Sequence, residues 1–335
     1  MANGKTKYQL IRREIGRELS LVRRRMRAMC SGERGVTSRL SSHFFSHDGK
    51  MIRASLILLL ARVSGGIDRT IIDFAAGVEL IHAASLIHDD IIDNERVRRG
   101  MATLNDGFGN TQAVLFGDLV FVRAFELFHA IDCRPLSKKV LAVIGAMCEA
   151  QIQEDVLRGN DKVSRDQYLS VIGGKTAALF EICGYGVDVL KGLNRPAVRR
   201  FGYDLGMAFQ LLDDANDLPS GEDIAEGFFT YPFIHAVRRA PLRDRRMMKA
   251  LAATKPFGTK EAHALTRCIE DAGGIEANNR LAYDYLSKAL RAVRTVTAAS
   301  KGLTALIDDL IARSGMHSGY GQQWPPPAAP SWRKR

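Results

Sequence analysis

The chain has 335 residues, 46% of them hydrophobic, and a formal net charge of +11. That is enough apolar material for one large core or two ordinary ones. Five scattered cysteines (Cys30, Cys133, Cys148, Cys183 and Cys268) without a CxxC pair exclude a disulfide scaffold and a cysteine-rich zinc site, and read as reduced thiols.

Residues 8–30 place Leu10, Ile11, Ile15, Leu19 and Leu21 near helical spacing and predict a first helix. Residues 1–40 hold eleven Lys/Arg against three Glu, densest in the run Arg23 to Arg27. This run reads as a solvated outer helix face. No aromatic residue interleaves its arginines, so no nucleic acid is expected as a partner, and membrane contact is at most peripheral. The opening lacks the charged-then-apolar order of a signal peptide, and no apolar run reaches the ~18 residues of a membrane span. A soluble, cytoplasmic protein is expected.

Residues 51–66 read as a buried helix stopped by Gly65 and Gly66, and residues 71–93 as a long apolar helix. Further helices are predicted over 110–131, 136–157, 175–191 and 196–217, and shorter ones over 241–253, 259–272, 276–300 and 302–313. Sustained period-two alternation is absent, so strands are not expected. From Gly315 the chain is rich in Gly and Pro and carries Trp324 and Trp332, which predicts a disordered tail. The expected organisation is an all-α domain, residues 1–314, as a single large helical bundle, followed by a tail, residues 315–335.

Two aspartate triplets share one spacing: Asp89, Asp90 and Asp93 in LIHDDIID, and Asp213, Asp214 and Asp217 in LLDDANDL. Each ends an apolar helix, where an unpaired carboxylate is costly to desolvate. Residues i and i+4 share a helix face, so each triplet presents carboxylate oxygens along one side. Such a face suits a small hard cation that takes its other ligands from water and substrate phosphates, as Mg²⁺ does. Arg96, Arg98 and Arg99 follow the first triplet at once, and arginine forks match phosphate oxygens. His82 precedes Asp89 by about two helical turns and lies on nearly the same face. Lys50 and Arg53 share a face beside Met51, Ile52 and Leu56, as at a pocket rim. Lys175 follows Gly173 and Gly174 and reads as a helix start, a position that favours phosphate.

In order along the chain, DGKMIRASL, VELIHAASLIHDDIIDNERVRRGMAT, FGDLVFVRAF, GKTAALFE and FQLLDDANDL resemble the motifs of the trans-isoprenyl diphosphate synthases. The resemblance spans about residues 45 to 300 and implies a helical bundle around a deep central cavity. It implies a prenyltransferase that condenses isopentenyl diphosphate with an allylic diphosphate, with Mg²⁺ as cofactor and a homodimer as the assembly. Asp89 and Asp93 are expected to hold Mg²⁺ with Asp90 in support, and Asp213 a further Mg²⁺ with Asp214 and Asp217 behind it. Lys50, Arg53, His82 and Arg99 are expected on isopentenyl diphosphate, and Arg98, Lys175, Thr176 and Gln210 on the allylic diphosphate.

The chain departs from the family pattern after the second triplet. LPSGEDIAEGFFTYPF lacks a first lysine, and Phe228 stands where a second is expected. Gln151 and Glu154 stand exchanged relative to the usual Glu and Gln. In this family the cavity floor is set just before the first triplet. Ala84 and Ser85 are small there, so a product longer than farnesyl is expected, with Phe116, Phe121 or Met147 closing the cavity lower down. The missing lysines raise a weakly active or non-catalytic subunit of a heteromeric synthase as an alternative, although such a subunit would normally lose its aspartates too. A terpene cyclase is another, although it would not need the isopentenyl residues that this chain keeps.

Overall fold

The computed structural model describes residues 2–32, 35–46, 49–253, 258–297 and 301–313. In chain order the helices are α1 (Ala2–Cys30), α2 (Val36–Phe44), α3 (Ile52–Val63), α4 (Arg69–Ile92), α5 (Leu104–Phe108), α6 (Asn110–Ile131), α7 (Arg134–Leu157) and α8 (Arg165–Ile172). A π turn, Gly173–Ala177, runs on into α9 (Ala178–Leu190). Then come α10 (Pro196–Asp217), α11 (Glu222–Glu226), α12 (Tyr231–Arg239), α13 (Leu242–Ala252), α14 (Thr259–Asp271), α15 (Gly274–Thr297) and α16 (Lys301–Arg313). The expected all-α bundle is what forms. The tail expected over 315–335 lies outside the described residues.

One expectation about strands is corrected. Val97–Arg98 (β1) and Met101–Ala102 (β2) pair antiparallel, with Val97 opposite Ala102. Strands of two residues are too short to leave an alternating pattern in the sequence. Arg99 and Gly100 form the connecting turn with φ of 55° and 80°. A tight hairpin turn asks for that left-handed backbone, and glycine supplies it at no steric cost.

Helix α4 is the axis of the core. Asp68 caps it, its carboxylate accepting from Ile71 N at 2.9 Å. Its apolar stretch is long enough and hydrophobic enough (mean hydropathy 1.5) to cross a membrane, contrary to the expectation that no run would reach that length. Most of that stretch is buried against its neighbours, so α4 is a core helix. Against it lie α6, α3, α1 and α9. Gly77 lets α6 approach: a Cβ there would sit 2.8 Å from the Phe128 ring. On α3, Leu56 to Leu60 are all fully buried, and truncating one to alanine costs ~2–5 kcal/mol. Helix α16 returns the chain to α1, where Gly302 N donates to Glu14 Oε1 at 2.8 Å.

Candidate active site

A cavity of about 970 Å³ opens between α1, α3, α4, α6, α7, α9 and α10. The two triplets reach it from the ends of α4 and α10. Asp89 and Asp213 line it. Asp93 and Asp214 line a smaller adjoining space of about 270 Å³, shared with Asp223 and Glu226.

Within each triplet the members differ. Asp90 is buried and takes Arg98 Nε at 2.5 Å. Asp214 is buried too, accepting from Tyr168 OH at 2.5 Å and Gln210 Nε2 at 2.7 Å. Both carboxylates are held by side chains of other segments, Asp90 on the main cavity and Asp214 on the adjoining space. Asp89 stands nearer the open space, and burial pushes its carboxyl up to about 6, with Lys175 opposing and Asp93 and Glu154 reinforcing the shift. Burial likewise pushes Asp214 up to about 7 and Asp223 up to about 6. Asp217 is raised by burial and then by Asp213 and Glu222, with Lys50 opposing. Burial is the first cause in each of these acids, and neighbouring carboxylates add to it.

Among the described residues no three acidic, histidine or cysteine side chains converge to grip an ion alone. A divalent cation that completes its shell with diphosphate oxygens fits that arrangement, because all the donors offered are hard carboxylates. Asp89 and Asp213 would offer such donors in the main cavity and Asp93 in the adjoining space, whereas Asp217 is exposed and lines neither.

Lys175 sits where the chain makes its π turn. Lys175 was expected to begin a helix, but α8, the π turn and α9 run without a break. The inserted residue has a packing cause. A Cβ on Gly173 would meet Tyr203 Oη at 2.8 Å, and one on Gly174 would meet Ala150 Cβ at 2.7 Å. Only glycines let this turn pass between α7 and α10, and π bulges of this kind gather at functional sites. Lys175 pairs with Glu154. Burial works to lower the Lys175 pKa, but Glu154 and Asp89 outweigh it and hold the ammonium charged. Thr176 Oγ1 donates to Gln210 Oε1 at 2.7 Å, so Thr176, Gln210, Asp214 and Tyr168 form one hydrogen-bonded chain.

The cationic side is built differently. Arg53 is buried (9% exposed), and its guanidinium carbon lies 4.7 Å from the centre of the Phe180 ring. Glu79 lies close by, its Oε1 accepting from Ala54 N at 2.8 Å in the first turn of α3. Arg53 Nε is buried and has no hydrogen-bond partner. Arg53 itself lines the cavity, so its guanidinium offers a fixed positive charge to an anion there. His82 lines the same wall, and burial followed by Arg53, Arg99 and Arg98 lowers its pKa well below the ordinary value, so it is neutral. Lys50 lines the wall as well, and Arg99 is brought in by the hairpin turn, its Nη1 3.1 Å from where a Gly49 Cβ would sit.

Two cavity residues contradict the reading of the basic run as a solvated face. Arg23 and Arg27 line the cavity; Arg23 Nε lies 3.0 Å from Met51 Sδ, and Arg27 Nη2 donates to Phe45 O at 2.7 Å. Arg25 pairs with Asp73 of α4 at 2.6 Å. The i, i+4 spacing of Arg23 and Arg27 puts them on one face together with buried Met26. That spacing was visible; which helix the face would meet was not.

The floor is corrected in part. Ser85 lines the cavity, with Ala83 and Leu86, but Ala84 is fully buried and turned into the core. Phe121 and Met147 line the cavity, whereas Phe116 is buried with its ring 6.3 Å from that of Phe44. His88 packs on Gly117 and reaches Val114 O at 3.3 Å.

The family profile described as polyprenyl synthetase matches residues 35–270. Octaprenyl diphosphate synthase of Haemophilus influenzae is 31% identical over 257 residues, 73% of this chain and 78% of that protein. The all-trans-nonaprenyl-diphosphate synthase (geranyl-diphosphate specific) of Rhodobacter capsulatus is 30% identical over 81% of this chain and 88% of that protein. A crystal structure of polyprenyl synthase from Caulobacter crescentus CB15, complexed with calcium and isoprenyl diphosphate, superposes with a TM-score of 0.82 at 26% identity, covering 91% of this chain and 96% of that one.

Proposed function

The chain belongs to the polyprenyl synthetase family, and from that premise we propose that it lengthens an allylic diphosphate with isopentenyl diphosphate in a Mg²⁺-dependent reaction, to a product longer than farnesyl. The observation that carries this reading is Arg53, a buried cation on the wall of a cavity that is also lined by the carboxylates of both triplets. Arg53 with Lys50, His82 and Arg99 holds the diphosphate of isopentenyl diphosphate. Neutral His82 can both donate to an oxygen and avoid adding charge. Lys175, Thr176, Gln210 and Arg98 hold the allylic diphosphate.

Mg²⁺, when bound, would supply neutralisation of the leaving diphosphate. Asp89, Asp93 and Asp213 would hold it, with Asp217 beside them and Asp90 and Asp214 in support. Lys175 and Arg98 stabilise the charge that grows on the diphosphate as the allylic C–O bond breaks. The isopentenyl double bond then attacks the allylic cation, and a proton is lost to the released diphosphate. The apolar walls, Phe121, Met147 and Leu86 among them, exclude water from the cation and lodge the growing chain.

Long-chain relatives support a product longer than farnesyl, as does the small Ser85 on the wall. A homodimer is supported by apolar side chains that α6 and α7 leave exposed, Leu115, Val122, Leu141 and Val156 among them. The long apolar helix is mostly buried within the protein, which supports its reading as a core helix.

The test is radiolabelled isopentenyl diphosphate with geranyl, farnesyl and geranylgeranyl diphosphates, with and without Mg²⁺. Mg²⁺-dependent elongation by the protein alone is expected. Cyclic hydrocarbon, or turnover only with a second protein, would refute it.

A further inference from the structure

The geometry points to Arg158 as a further diphosphate-binding cation, which also latches residues 218–230 to the acidic end of the cavity; the inference rests on the prenyl transfer proposed above. Arg158 follows directly on α7. Its Nη2 lies 3.3 Å from Asp93 Oδ1. Its guanidinium carbon lies 4.4 Å from the centre of the Phe228 ring. Its Nε is buried and makes no hydrogen bond, although Asp155 Oδ1 is 3.4 Å away.

The backbone around it is tied to the same segment. Gly159 N donates to Gly227 O at 2.8 Å, and Phe228 N to Asp223 O at 2.7 Å. Gly227 has φ of +90°, and a Cβ there would fall 2.9 Å from Gly159 N. The strands of chain on either side of Arg158 and Phe228 therefore touch, and only glycine allows it.

Arginine stacks on an aromatic ring with its in-plane N–H groups still available, and those groups match diphosphate oxygens. Among the described residues the Arg158 side chain makes one hydrogen bond, to Asp93. The neighbouring cations are already committed, Lys175 to Glu154 and Arg98 to Asp90. Asp93, Glu95, Asp223 and Glu226 crowd the space below. Asp93 and Phe228, which Arg158 touches, both line that space, so a diphosphate that takes the place of Asp93 on Arg158 Nη2 gains its fork. The Phe228 ring is the aromatic surface against which that guanidinium rests.

The test compares R158A, R158K, F228A and the double variant R158A/F228K. Affinity for inorganic pyrophosphate with Mg²⁺ is measured by calorimetry, with KM for farnesyl and isopentenyl diphosphates and the melting temperature alongside. For R158A, pyrophosphate affinity should fall about tenfold and KM for farnesyl diphosphate should rise similarly, with KM for isopentenyl diphosphate unchanged. R158K and F228A should lie between it and the parent. R158A/F228K should recover most of the loss, because position 228 adjoins the same space. Unchanged pyrophosphate affinity in R158A overturns the inference; so does a double variant as weak as R158A, which would mean that Arg158 only braces the segment. Should R158A fail to fold, R158K decides by the same two readouts. A parent protein that binds pyrophosphate but elongates nothing sinks the prenyl-transfer reading instead, and the pyrophosphate arm still decides about Arg158.

Discussion

The two ends of the cavity hold charge in opposite ways. Around Arg53, tertiary packing does the holding: the guanidinium is buried, stacked on Phe180 and set beside buried Glu79. Around Asp93 the charges are held by partners that a ligand can replace, Arg158 on Asp93 and Glu154 on Lys175. The cationic end is preorganised and should bind its diphosphate with little rearrangement. The acidic end is a set of ion pairs beside two other carboxylates, Asp89 and Asp223, that burial raises to about 6.

The sharpest way to break this contrast is to empty the acidic end. D89A combined with D213A should lower kcat at least about 10³-fold, as should EDTA with the parent enzyme. Isopentenyl diphosphate binding, read by calorimetry, should survive the double change; its loss would show that the two ends are not independent. The converse change, R53M, should raise KM for isopentenyl diphosphate by about 30-fold, the worth of a charged hydrogen bond of ~2 kcal/mol. An equal effect on KM for the allylic substrate would contradict the assignment of ends.

Product length separates two adjacent residues. S85F should shorten the major product by several isoprene units. A84F should leave product length alone and cost ~1–3 kcal/mol of stability through overpacking, seen as a lower melting temperature. Product shortening by A84F would put the floor on the other face of α4.

A smaller effect concerns pH. The folded pKa of Asp214 is about 7 against a reference of 3.8, so the folded state keeps a proton that the unfolded state loses. Such a group adds stability at low pH that is lost as pH rises through the folded value. Metal-free protein should therefore lose melting temperature relative to D214N as pH rises from about 4 to about 7. Parallel profiles would refute that environment for Asp214. The least effect is expected of R23A with R27A, about a two- to threefold rise in KM for isopentenyl diphosphate, since both arginines are braced by contacts of their own.

Long helices and the triplets were legible because apolar periodicity and shared-face spacing survive in any tertiary context. Helices α2, α5, α11 and α12 were not, being shorter than the window over which periodicity speaks. Helix α8 was missed despite a signal: Ser164 and Gln167 form a reciprocal capping box, readable as S-x-x-Q. Lys50, Arg53 and His82 could be placed on faces; Glu79 beside Arg53, Tyr168 under Asp214 and Arg158 beside Asp93 could not, because each joins segments far apart in sequence. The turn at Gly173 and Gly174 looked like a helix start because glycine marks both boundaries and close crossings, and only the neighbouring Tyr203 and Ala150 tell them apart.

Helix α4 carries one more consequence, for the birth of the protein. Residues 69–92 emerge from the ribosome with the apolarity of a membrane anchor, and much of their cover, α6 and α9, is translated later. Until Phe128 settles on Gly77, that segment is sticky surface. Co-produced holding chaperones should therefore raise the soluble yield of the overproduced protein.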